Sequence, residues 1–86
     1  MDDHIALDQL EALAWSLGIE VRYEKIPQDD VTISGGLCRL KGKSVIVIDA
    51  RASSKERVRI LVQALRPFDL TDVYIRPALR ALLEKT

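Results

Sequence analysis

The sequence predicts an α+β fold: a small three-stranded, mostly antiparallel sheet covered by helices on one face, with elements in the order α-β-β-β-α-α. Three observations carry this. Apolar residues recur at the helical period near both ends of the chain, where they suit helices packed on a sheet. Between them, IEVRYEK alternates strictly, as a half-buried strand must. Then SVIVID, apolar on both faces from Val45 to Ile48, follows a Lys41-Gly42-Lys43 hairpin tip and reads as the central strand.

Each element has a local reason. In IALDQLEALAWSL, residues 5 to 17, Leu7, Leu10, Leu13, Ala14 and Leu17 share one stripe while Asp8, Gln9 and Glu11 lie off it. Gly18 follows where a left-handed helix cap favours glycine, because no Cβ opposes a positive φ there. In the first strand Ile19, Val21 and Tyr23 face one way and Glu20, Arg22 and Glu24 the other; Pro27 to Asp30 then break it with turn chemistry. Gly35 and Gly36 sit where the first hairpin arm begins or bends. Ser53 and Glu56 form an S-x-x-E capping pattern ahead of Val58, Leu61, Val62 and Leu65. That helix must stop near Arg66, since Pro67 has no amide hydrogen and its ring clashes with the preceding turn. After FDLTDVYIR, Pro77 suits the first position of a last helix carrying Leu79, Leu82 and Leu83.

At 86 residues, 48% hydrophobic and 30% charged, the chain is expected to form a single domain, residues 1–86, of modest stability. No apolar run is long enough to cross a membrane, and the acidic start MDDHIALD is unlike a secretory signal, so a cytoplasmic location is expected. The lone Cys38 cannot form an internal disulfide. Its alternation with Leu40 suggests a small buried apolar residue. Net charge is zero but uneven. Residues 1–30 carry eight acids against two bases, and residues 31–86 carry eleven bases against five acids. Such a division favours a charged partner or a second copy of the chain, making a homo-oligomer one expected state.

The runs LGIEVRYEKIPQD and GGLCRLKGKSVIVIDARASSKERVRILVQALRPFDL resemble the minimal core of zincin metallopeptidases. The nearest type is the small cytoplasmic one that cleaves repressor proteins in bacteria and phages. Those cores share a helix, strands ending in a short "g-x-x-I-x-I-n" strand, a loop, and a helix bearing HExxH. The whole chain also resembles a group of short bacterial proteins sharing GGLCR-K-G-K and FDL-DVY. HExxH works because residues four apart share one helix face, so both imidazoles reach one zinc and the glutamate serves its bound water as base. Laid on this chain, those three positions fall on Gln63, Ala64 and Pro67. Gln63 is a poor ligand, Ala64 cannot take a proton and Pro67 ends the helix. The expectation is a pseudo-metallopeptidase: no catalysis, no metal, no cofactor.

What the resemblance implies instead is peptide capture by strand addition, the way a zincin edge strand holds extended substrate. The equivalent here is the Gly35 to Lys41 arm. Gly35 and Gly36 would let another backbone approach closely, and Arg39 is a further contact candidate on the same arm. Trp15 lies on the side of the first helix that carries Asp8 and Glu11, and an exposed tryptophan among acids suits a protein interface. The bland expectation is that the C-terminal helix folds over it.

The alternative is nucleic-acid association through a basic helix face: Arg51, Lys55, Arg59 and Arg66. The chain lacks aromatic residues enough to stack bases, which disfavours that reading. SGGLCR lacks the spacing of a phosphate loop, and Ser53 and Ser54 read as helix caps rather than nucleophiles.

Overall fold

A computed structural model describes residues 2–25 and 35–84. Its elements are α1 (Asp3–Ser16), β1 (Glu20–Glu24), β2 (Gly35–Leu40), β3 (Lys43–Asp49), α2 (Ser54–Leu65) and α3 (Pro77–Glu84), in the order and α+β class the sequence predicts. The predicted turn at Pro27 to Asp30, and Val31 to Ser34 of the first hairpin arm, lie outside the described residues.

The sheet is mixed, in the order β1-β3-β2, with the apolar β3 at its centre. β2 pairs antiparallel with β3 from Gly35↔Ile48 to Leu40↔Lys43. β1 pairs parallel with β3 from Glu20↔Val45 to Glu24↔Asp49. β1 and β2 therefore lie at opposite edges of the sheet with β3 between them.

Side chains alternate across the sheet, so the register places Val21, Tyr23, Leu37, Ile46 and Ile48 on one face. Ile46 and Ile48 are fully buried there with Leu10 of α1 and Leu61 and Leu65 of α2. Of the stripe expected for α1, Leu7, Leu10, Leu13 and Ala14 are buried and Leu17 is partly buried, and Ala6 joins them; α2 presents Val58, Leu61, Val62 and Leu65 as expected. α3 adds Leu79 and Leu83 to the same core.

The ends are set by caps. Gly18 takes φ 75° after α1, a conformation that costs glycine little. The Ser53 side chain accepts a hydrogen bond from the Glu56 amide at the start of α2. Leu65 is the last residue of α2, Arg66 caps it and Pro67 follows, while Pro77 opens α3.

Candidate functional site

The hairpin between β2 and β3 turns in two residues, Lys41 at φ 51° and Gly42 at φ 80°. Two consecutive positive φ values make the tight turn whose twist matches that of the strands, and it leaves the flanking residues as a mutually hydrogen-bonded pair. That pair is Leu40 and Lys43. Antiparallel strands alternate between hydrogen-bonded and non-bonded pairs, so the backbones of Leu40, Cys38 and Gly36 point at β3. Those of Gly35, Leu37 and Arg39 point away from it. The far side of β3 agrees: the Ala50 amide just beyond the strand donates to the Glu24 carbonyl of β1, placing the even-numbered residues of β3 toward β1. Among the described residues β2 has a partner strand on one side only.

This edge is also exposed through its side chains. Leu37 is 40% and Leu40 48% exposed, and Cys38 and Arg39 are open to solvent. Cys38 is therefore not the buried apolar residue that its alternation suggests. It lies on the face opposite the helices, beside Val45, and the core does not reach it. An exposed apolar edge strand is a template for pairing with another chain.

The two glycines differ. Gly35 sits at φ 151°, and a Cβ there would run into the Val47 carbonyl and lie 2.9 Å from the Ile48 Cα. Its missing side chain lets β2 close onto β3, so Gly35 serves the sheet rather than leaving room for a guest. Gly36 has nothing within 4 Å of its Cβ position and is the glycine that leaves open space.

Trp15 is elsewhere. It is 83% exposed, and α3 does not fold over it. It stands between two concavities, one lined by Glu11, Ile19, Val21 and Tyr23, the other by Gly18, Ile19, Lys43 and Ser44. No residue of β2 borders either, so the four sequence candidates fall into two places: Gly35, Gly36 and Arg39 on one sheet edge, Trp15 on the α1–β1 side.

The basic face is partly committed to structure. Arg51 Nε and Nη2 donate to the buried Asp49 carboxylate at 3.0 and 2.9 Å, and this bond holds the Arg51 guanidinium above its usual pKa. Arg66 Nε donates to the Leu83 carbonyl at 3.1 Å, tying α2 to α3. Lys55, Arg59 and Arg66 rim a groove floored by Val58, Val62 and Leu82, with Asp3 on its border.

Of the positions matching HExxH, Gln63 and Pro67 are exposed, whereas Ala64 is buried in the core. They do not converge on one open site. Among the described residues no three His, Cys, Asp or Glu side chains stand close enough to share an ion.

Two features escape the sequence reading. Tyr23 donates its hydroxyl to Glu11, and the Arg57 guanidinium lies over its ring, 4.7 Å from the centroid. Burial, then the bond to Glu11, pushes this phenol well above its usual range. Tyr74 is 83% exposed and walls a groove of about 500 Å³ with Gln9, Ala12, Ser16 and Arg76. Only the chain path could reveal either, since Tyr23 and Glu11 belong to different elements.

No helix among the described residues is long and apolar enough to cross a membrane. Comparison of the chain with protein-family models, curated proteins and solved structures finds no match.

Proposed function

We propose that this chain is a non-catalytic protein-interaction module that captures an extended peptide segment by strand addition along β2. The observation that carries the reading is the edge itself, with the Leu37 and Arg39 backbones turned outward beside exposed Leu37 and Leu40 side chains. Main-chain hydrogen bonds supply affinity in this mode, while side chains of alternate residues supply specificity. Leu37 and Arg39 share one face, so a captured strand meets an apolar and a cationic position in succession. Gly36 leaves the opposite face open at the start of the strand. The zincin-like reading of the sequence agrees with this mode, since those cores hold extended peptide on a strand edge.

The test separates backbone from side chain at Arg39. Proline there removes an outward amide hydrogen without taking a bond from the β2–β3 ladder, the one arrangement in which a strand tolerates proline. Peptides of roughly ten residues, selected on the immobilised chain from a random library, would be labelled and titrated by fluorescence anisotropy. Arg39→Ala is expected to stay within about threefold of wild type, and Arg39→Pro to weaken binding by about tenfold or more, since each 1.4 kcal/mol is tenfold. Wild-type affinity in Arg39→Pro, with its circular dichroism unchanged, would overturn the reading.

A further inference from the structure

The edge on which strand addition is proposed carries charge of one sign. From Gly35 to Ile48 the chain has three bases, Arg39, Lys41 and Lys43, and no acid. All three are exposed, and none makes an ion pair among the described residues. Glu20 of β1 feels the charge of Lys43, but its carboxylate is held below the usual range first by its hydrogen bond to Arg22. Glu24 lies 3.9 Å from the same guanidinium. The acids of β1 are therefore shared with a base of their own strand, and the cations on the β2 side of the sheet are left unanswered.

We propose that the captured segment is acidic: an extended peptide of a partner protein that sets an aspartate or glutamate against Arg39 and further negative charge beside Lys41 and Lys43. The proposal rests on the strand-addition reading and names the ligand of that edge. Backbone chemistry favours a peptide over other anions. Leu37 and Arg39 each turn an amide hydrogen and a carbonyl oxygen outward. The phosphodiester backbone of a nucleic acid accepts from the amides but has no hydrogen to give the carbonyls, whereas a second extended chain both gives and accepts. A second copy of this chain does not meet the requirement through its own β2, since that strand has no acid.

Position follows from the strand period. Leu37 and Arg39 project from one face, so the guest residues opposite them are two apart in the guest. Directly opposite side chains have Cβ atoms about 5 Å apart, within reach of a carboxylate and a guanidinium. The intervening guest residue turns to the other face beside Cys38, and the one past the acid meets Leu40, which is 48% exposed. Read toward the hairpin, the guest is apolar, unrestricted, acidic, apolar, whichever way its chain runs. The charge contacts are exposed, so each is worth only a few-fold in affinity and the main-chain bonds carry the rest.

Peptides of roughly ten residues, selected in parallel on the wild type and on a chain carrying Arg39→Glu and Lys41→Glu, read the charge directly. Wild-type peptides should be enriched in Asp or Glu two positions from an apolar residue, and the reversed chain should enrich Lys or Arg in that place. A wild-type peptide should bind the reversed chain about tenfold more weakly at low salt, and less so at about 1 M salt, where the screening length falls to about 3 Å. Changing the peptide's acid to its amide should weaken wild-type binding about threefold and leave binding to Arg39→Ala nearly unchanged. Peptides without acidic preference, or with the same preference on both chains, would overturn the proposal while strand addition stands, provided Arg39→Pro still weakens binding. Wild-type affinity in Arg39→Pro would instead remove the edge reading, and this proposal with it. Displacement of the peptide by an equal concentration of a single-stranded oligonucleotide would overturn it too, in favour of a phosphate-binding surface.

Discussion

At the residue scale, Gly35 and Gly36 look alike in sequence and do opposite things. Gly35 is held at φ 151° with the Val47 carbonyl where its Cβ would be, so the absence of a side chain lets the edge strand join the sheet. At Gly36 a Cβ would meet nothing within 4 Å, although the backbone pairs with Val47 of β3. Valine at Gly35 should therefore cost at least about 3 kcal/mol, combining unfavourable backbone with overlap against a strand that cannot retreat. Valine at Gly36 should stay within about 0.5 kcal/mol of wild type, a surface-like change. Urea unfolding followed by circular dichroism measures both; equal losses would mean that the difference between the two glycines has no energetic weight. Cys38 teaches the same lesson. Alternation with Leu40 does put the two side chains on one face, but which face the helices cover depends on partners distant in the chain.

At the scale of elements, local chemistry is legible wherever the signal is short-range. Ser53 with Glu56, Gly18, Pro67 and Pro77 mark helix ends within a residue or so, because caps and proline geometry act over a few bonds. The parallel pairing of β1 with β3 is not legible, since sense and neighbour are decided by the path between strands. Nor is the link that joins three elements at Tyr23, whose hydroxyl binds Glu11 of α1 and whose ring lies under Arg57 of α2. Burial first, and then the bond to Glu11, raise the pKa of this phenol. A raised folded-state value means stability that is fully present below the unfolded tyrosine value of about 10 and lost as pH climbs through the folded one. The melting-temperature gap between wild type and Tyr23→Phe should accordingly be widest near neutrality and shrink by about pH 11, a comparison in which the lysines common to both proteins cancel. A gap that stays constant from about pH 7 to 11 would place the Tyr23 proton outside the energetics of the fold.

At the scale of the whole molecule, the helices cover one face of the sheet and leave a strand edge and the outer side of α1 open. The amphipathic stripes foretell the covered face. The open surfaces are legible only as candidates, because exposure is a property of what the rest of the chain fails to reach: nothing in the sequence keeps Leu79, Leu82 and Leu83 from roofing Trp15, yet they pack into the common core and leave it exposed. The proposed peptide capture uses the open β2 edge. Its central claim is that Leu37 and Arg39 present their backbones outward, ready to pair. Amide hydrogen exchange resolved by nuclear magnetic resonance tests this most directly. Cys38 and Leu40 should be protected in the free protein while Leu37 and Arg39 exchange rapidly, and a selected peptide should slow those two amides by about tenfold or more. Equal protection along the strand, or outward amides that a bound peptide leaves unchanged, would contradict the account.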